Sequence, residues 1–211
     1  MNHSTNKVMY AGSFDPVTKG HEDIIERAAR QHQELLVSIG INPKKNSAFT
    51  VPERIALLEA VTQHLPNVTV SSFSGLLTDA ALKANVDTIV RGIRGASDAE
   101  METTVSQVVQ HLAPNIETSI LMSDQRNTHV SSSMTKEIQL NHGDTTPFAS
   151  FPVKQAMEAR ISNHYFLSVT GSSGSGKSYV SQQMVEQLGT LGIEAHHLDL
   201  DTIGHEILSG D

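Results

Sequence analysis

The sequence predicts an α/β protein, with a five-stranded parallel sheet in a first domain over residues 1–162 and an incomplete P-loop α/β fragment over 163–211. Three observations predict it. From residue 7 to about 162, short β-branched runs alternate with helical stretches, the pattern of parallel strands joined by crossover helices. After residue 162 the rhythm restarts with a second apolar run and a Gly/Ser loop. Charge divides in the same place: of 15 Lys and Arg only Lys177 lies beyond residue 160, against six of the 23 acidic residues.

The strands are expected at 7–11, 35–41, 68–73, 88–91 and 118–122, where β-branched and apolar residues cluster between polar turns. Helices are expected at 21–33, 50–65, 78–85, 98–111, 131–140 and 153–161. The second is the best marked, because Thr50-Val51-Pro52-Glu53 has capping-box spacing with Pro in the first turn, and Ile55, Leu58, Val61 and Leu65 follow at helical spacing. In the tail a strand at 165–169 leads through a loop into a helix at 177–191, and a further strand is expected at 195–200.

Composition excludes several function classes. The 211 residues contain no Cys, so disulfides, thiolate metal sites, iron–sulfur clusters and a Cys nucleophile are ruled out, which fits a reducing, cytoplasmic setting. A net charge of −8 argues against non-specific nucleic-acid binding, which needs a basic face. No window approaches the ~20 apolar residues of a membrane span. The histidines outside the first loop show no paired helical spacing with carboxylates, so no protein metal site is expected.

The chemistry-bearing residues fall at strand ends. Tyr10 to His21 runs from the first strand through Gly12-Ser13-Phe14-Asp15-Pro16 to Thr18-Lys19-Gly20-His21 at a helix start. Free backbone N–H groups and the helix dipole favour phosphate there, Gly12 and Gly20 permit close approach, and His21 projects toward the same crevice. Asn42-Pro43-Lys44-Lys45 follows the second strand, Arg91-Gly92-Ile93-Arg94 with Asp98 and Glu102 follows the fourth, and Ser131-Ser132-Ser133 follows the fifth. Singly, these read as a turn, a solvated Lys pair, surface ion pairs and a helix cap; together they converge on one edge of a parallel sheet.

In this order and spacing, residues 7–162 resemble the Rossmann-like nucleotidylyl-transferase superfamily, and within it bacterial phosphopantetheine adenylyltransferases. The resemblance implies transfer of AMP from ATP to 4′-phosphopantetheine, giving dephospho-coenzyme A and pyrophosphate by in-line attack, with Mg²⁺ on the triphosphate. It implies catalytic roles for Ser13, His21, Lys45 and Arg91, Lys45 rather than Lys44 matching the family lysine. On the ATP side it places Gly12, Ser13, His21, Gly92, Arg94, Glu102 and Ser131, Ser132 and Ser133; on the acceptor side Ser13, Lys45, Leu77 and Arg91. Ser13 replaces a common Thr, and Met101 stands where an aromatic is frequent. A homohexamer is also implied. The neighbouring alternatives are a cytidylyltransferase or a nicotinate-nucleotide adenylyltransferase, against which Arg91-Gly92-Ile93-Arg94 and Asn42-Pro43-Lys44-Lys45 speak. From another class, a regulatory module working through its P-loop is opposed by the intact Ser13, His21, Lys45 and Arg91 set.

Gly171-Ser172-Ser173-Gly174-Ser175-Gly176-Lys177-Ser178 is a full P-loop motif, with Lys177 suited to β/γ-phosphate oxygens and Ser178 to Mg²⁺. With Asp199 and Asp201 after the last expected strand, the segment resembles the beginning of dephospho-coenzyme A kinase. Its 49 residues are too few for such a domain, so no kinase activity is expected of it alone, as the front of a longer bifunctional chain or as a vestigial extension.

Overall fold

The computed structural model describes residues 7–163, 165, 167–197 and 199. The chain clusters into two units, 1–165 and 166–211. In the first, five strands alternate with helices: β1 (Lys7–Gly12), α1 (Lys19–Gln31), β2 (Glu34–Ile41), α2 (Val51–Thr62), β3 (Val68–Ser74), α3 (Leu77–Lys83), β4 (Thr88–Ile93), α4 (Ala96–Leu112), β5 (Glu117–Met122), α5 (Ser132–Leu140) and α6 (Phe151–Met157), the last running into a π-turn at Glu158–Ser162. Every strand pair is parallel and the order is β3-β2-β1-β4-β5.

Two cores form because side chains alternate across each strand. Val8 and Tyr10 of β1 and Leu35, Val37 and Ile39 of β2 face Ile24, Ile25 and Ala28 of α1, Leu58 of α2, and Val153 and Met157 of α6. Met9, Ala11 and Ile89 point the other way, against Ala81 of α3 and Val109 of α4. With both faces covered, β1 is the central strand and buries its four interior residues.

Each observed strand falls within two residues of its expected bounds, and in β1, β2 and β4 the runs that mark the strands are also the buried ones. The second helix starts with the anticipated cap: Thr50 Oγ1 accepts the Glu53 amide while the Thr50 amide donates to the Glu53 carboxylate. Strand order reverses between β1 and β4, so their carboxyl ends splay apart into a crevice.

The tail departs from expectation. Among its described residues α7 (Lys177–Thr190) forms as anticipated, but 165 and 167–170 form no strand. Tyr165 and Leu167 are 59 % and 65 % exposed, and an apolar run without a neighbouring strand has no partner for its backbone or cover for its side chains. Residues 193–197 form no strand either. Residues 198 and 200–211, which hold most of the expected final strand's end and Asp201, lie outside the described residues. Among the described residues, no helix is long and apolar enough to cross a membrane.

Candidate active site

The crevice is built from four strand-to-helix loops. In the first, Thr18 is the N-cap of α1 and His21 its third residue. The Thr18 amide donates to His21 Nδ1 at 3.1 Å, and Thr18 Oγ1 lies 2.9 Å from the same nitrogen. With Nδ1 accepting, neutral His21 carries its proton on Nε2 and keeps it for donation. Desolvation in the crevice, reinforced by the Arg94 guanidinium, lowers the His21 pKa to about 4, so the ring is neutral at physiological pH. Phe14, at φ 45°, packs its ring edge-to-face on His21 with centroids 5.1 Å apart. A Cβ on Gly12 would sit 3.0 Å from that Phe14 ring, so the strand end passes close over it.

Arg91 leaves β4 toward the same point. Its Nε and one terminal nitrogen donate to both carboxylate oxygens of Glu102 from α4, at 2.5 and 2.6 Å, and the other donates to Ala11 O at 3.3 Å. Glu102 is thereby committed to Arg91, so its expected place beside the nucleotide is as the brace of a guanidinium. Arg94 pairs with Asp98 at 2.9 Å and also donates to Val130 O. The Ser131 hydroxyl caps α5 by accepting the Met134 amide, and the Ser132 hydroxyl donates to Pro16 O at 2.8 Å. The remaining donors at this turn are the Ser133 hydroxyl and the free amides of the first turn of α5.

Two hollows open on these loops. One, of about 230 Å³, is lined by Lys45, Arg54, Phe73 and Leu77; the other, of about 320 Å³, by His21, Arg94, Glu102 and Ser131–Ser133. Ala11, Gly12, Ser13 and Arg91 line both. Gly92 and Met101 line the second. The expected acceptor-side and ATP-side residues of the first unit thus sort into adjoining hollows that share a floor.

Three contributors were not singled out in the sequence. Buried Asp15 accepts the Ala48 and Phe49 amides and pairs with Lys136 of α5 at 2.8 Å. Burial pushes its carboxyl up, but the Lys136 hydrogen bond and the two amides outweigh that and hold it below the ordinary aspartate value. Arg54 donates to Ser13 O at 2.9 Å from a position on α2 that is only 5 % exposed. Its signal was its spacing: it stands four residues before Leu58 and seven before Val61, on the apolar stripe of α2.

The P-loop residues belong to the other unit. Gly176 caps α7 in the left-handed region at φ 82°, Gly174 is also left-handed, and Lys177 Nζ donates to Ser172 O at 2.9 Å. Gly171 and Ser178 flank that turn.

Phosphate is the chemistry this crevice suits: its donors come from strand ends and the first turns of helices, and its acids Asp98 and Glu102 are paired to arginines. Among the described residues, no three His, Asp or Glu side chains gather into a metal-binding group. The sequence pattern of the cytidylyltransferase-like family matches residues 9–138. Among solved structures, a Vibrio parahaemolyticus protein assigned as a nicotinate-nucleotide adenylyltransferase is similar, with a TM-score of 0.54 at 16 % identity over 72 % of this chain and 91 % of that one. A lipopolysaccharide core biosynthesis protein from Thermoplasma volcanium GSS1 aligns at a TM-score of 0.41 and 21 % identity over 56 % of this chain and 95 % of that one. Since the family pattern spans more than half of the sequence and lies across both hollows, the chain belongs to the cytidylyltransferase-like nucleotidyltransferases.

Proposed function

We propose that this chain is a pantetheine-phosphate adenylyltransferase, transferring AMP from ATP to 4′-phosphopantetheine and releasing pyrophosphate. The observation that carries the reading is the shared floor: a phosphate beside Lys45 and Arg91 in one hollow borders the α-phosphate of a nucleotide lying against His21, Arg94 and the α5 N-terminus in the other. An acceptor phosphate oxygen attacks the α-phosphorus as the bond to the β-phosphate breaks, and the pyrophosphate carries the electron pair away.

The protein's part is positioning and charge neutralisation. Gly12 and Ser13 hold the two phosphates side by side. His21 Nε2–H donates to an α-phosphate oxygen and, being neutral at pH 7, donates without giving up its proton. Lys45 and the Glu102-braced Arg91 offset charge that builds between attacking and leaving oxygens. The Ser133 hydroxyl and α5 amides take the β- and γ-phosphates, and the Leu77 side of the first hollow takes the pantetheine arm. Mg²⁺ enters with the nucleotide as part of the substrate, since the crevice's acids are engaged by Arg91 and Arg94. The tail contributes no phosphoryl transfer of its own in this reading, and the enzyme is a cytoplasmic homohexamer, which light scattering checks.

The deciding experiment is product analysis by mass spectrometry. ATP with 4′-phosphopantetheine is expected to yield dephospho-coenzyme A; preference for nicotinate mononucleotide, or for CTP as donor, overturns the reading. The same assay with dephospho-coenzyme A as acceptor is expected to yield no coenzyme A.

A further inference from the structure

We infer that Arg54 is a third cationic ligand of the acceptor hollow, binding the terminal phosphate of the acceptor beside Lys45 and Arg91. This rests on the acceptor being a phosphomonoester. Three observations carry it. The Arg54 side chain lines the hollow of about 230 Å³, yet the residue is only 5 % exposed. Its Nε is one of two buried side-chain polar atoms without a hydrogen-bond partner among the described residues. No acidic residue lines this hollow, and neither Arg54 nor Lys45 has an ion pair among the described residues, whereas Arg91 is already matched by Glu102.

Burying a cation without a counter-charge is costly, and leaving part of its donor set unfilled adds to the cost. A guanidinium spends one donor on the Ser13 carbonyl here and has four more in a rigid fork. Such a group, next to an unpaired ammonium and with no carboxylate at hand, is completed by a dianionic oxyanion entering the hollow. The thiol and amide portions of such an acceptor carry no charge and cannot do this. The bond to Ser13 O also makes Arg54 a positioning residue for the floor that both hollows share, so the two roles must be separated by experiment.

Calorimetric titration of the full chain with 4′-phosphopantetheine and with unphosphorylated pantetheine measures the affinity due to the phosphate alone. The wild type is expected to prefer the phosphorylated compound, and Arg54→Met to lose about 10- to 100-fold of that preference, the range for charge-assisted hydrogen bonds. ATP affinity is expected to stay within about threefold, because a ligand role moves only the acceptor side whereas a damaged Ser13 floor moves both. Preserved preference in Arg54→Met, or equal loss for acceptor and ATP, overturns the inference. Should circular dichroism show Arg54→Met unfolded, Arg54→Gln decides: it keeps a donor but not the charge, and an unchanged preference sinks the idea. Titration of the wild type with inorganic phosphate, read at the Arg54 Nε–H resonance, tests anion binding independently of the proposed reaction. A shift with no dephospho-coenzyme A formed keeps the anion site and removes the acceptor reading; no shift removes the site.

Discussion

Thr18 fixes the chemistry of His21 before any substrate arrives. Because its amide occupies Nδ1, replacing the ring with Gln preserves an acceptor for Thr18 but not the aimed Nε2 donor. His21→Gln is expected to lower kcat by about 10²–10³, the cost of removing one transition-state donor, with the fold retained by circular dichroism. His21 also has a signature in acid. Its native pKa of about 4 lies below the ordinary 6.5, so between those values the unfolded chain takes up a proton that the native ring refuses. Its contribution to stability is intact above about pH 6.5 and falls as pH drops toward 4. Urea unfolding across that window should therefore show a shallower acid slope in His21→Gln than in wild type. Glu102→Gln frees Arg91 from its brace, and kcat is expected to fall by about 10-fold or more while the KM for ATP changes little.

At the level of elements, Asp15 joins three of them. Its carboxylate takes two amides from the loop before α2 and the ammonium of Lys136 on α5, tying the acceptor-side loop to the nucleotide-side helix. Asp15→Asn keeps one acceptor oxygen and leaves Lys136 unpaired, so a loss of about 3 kcal/mol or more in urea unfolding is expected. Because the Asp15 carboxyl is held below its ordinary value, its contribution is present at neutral pH and disappears as pH falls through that lowered value. The five strands of the first unit were legible in the sequence because β-branched and apolar runs mark them, most clearly in β1, β2 and β4, where the runs are buried. Arg54 was not legible as a site residue, since a polar residue on an apolar stripe reads as a break in pattern, and the pairing of Asp15 with Lys136 was not legible because 121 positions separate them. The strand expected at 165–169, absent from its described residues 165 and 167–169, shows the converse: an apolar run predicts a strand only when another strand stands beside it.

Across the whole molecule, the expected site residues of the first unit all come from residues 12–133, inside one compact unit. A chain ending at residue 165 is expected to keep its rate of pyrophosphate release within about threefold of the full chain, and a larger drop would make the tail part of the working enzyme. The helix expected after Gly171–Lys177 forms, but the strand expected before it does not form among the described residues.

The strand order has a further consequence, in time. β1 pairs with β4, which lies some 80 residues later in the chain, and Lys136 reaches Asp15 across 121 positions. The second hollow draws its lining from residues 10 to 133, so it cannot close until most of the first unit has left the ribosome. Until then the backbone edge of β1 that β4 later pairs with stands open, and an unpaired strand edge is the part of a nascent chain most exposed to misassociation.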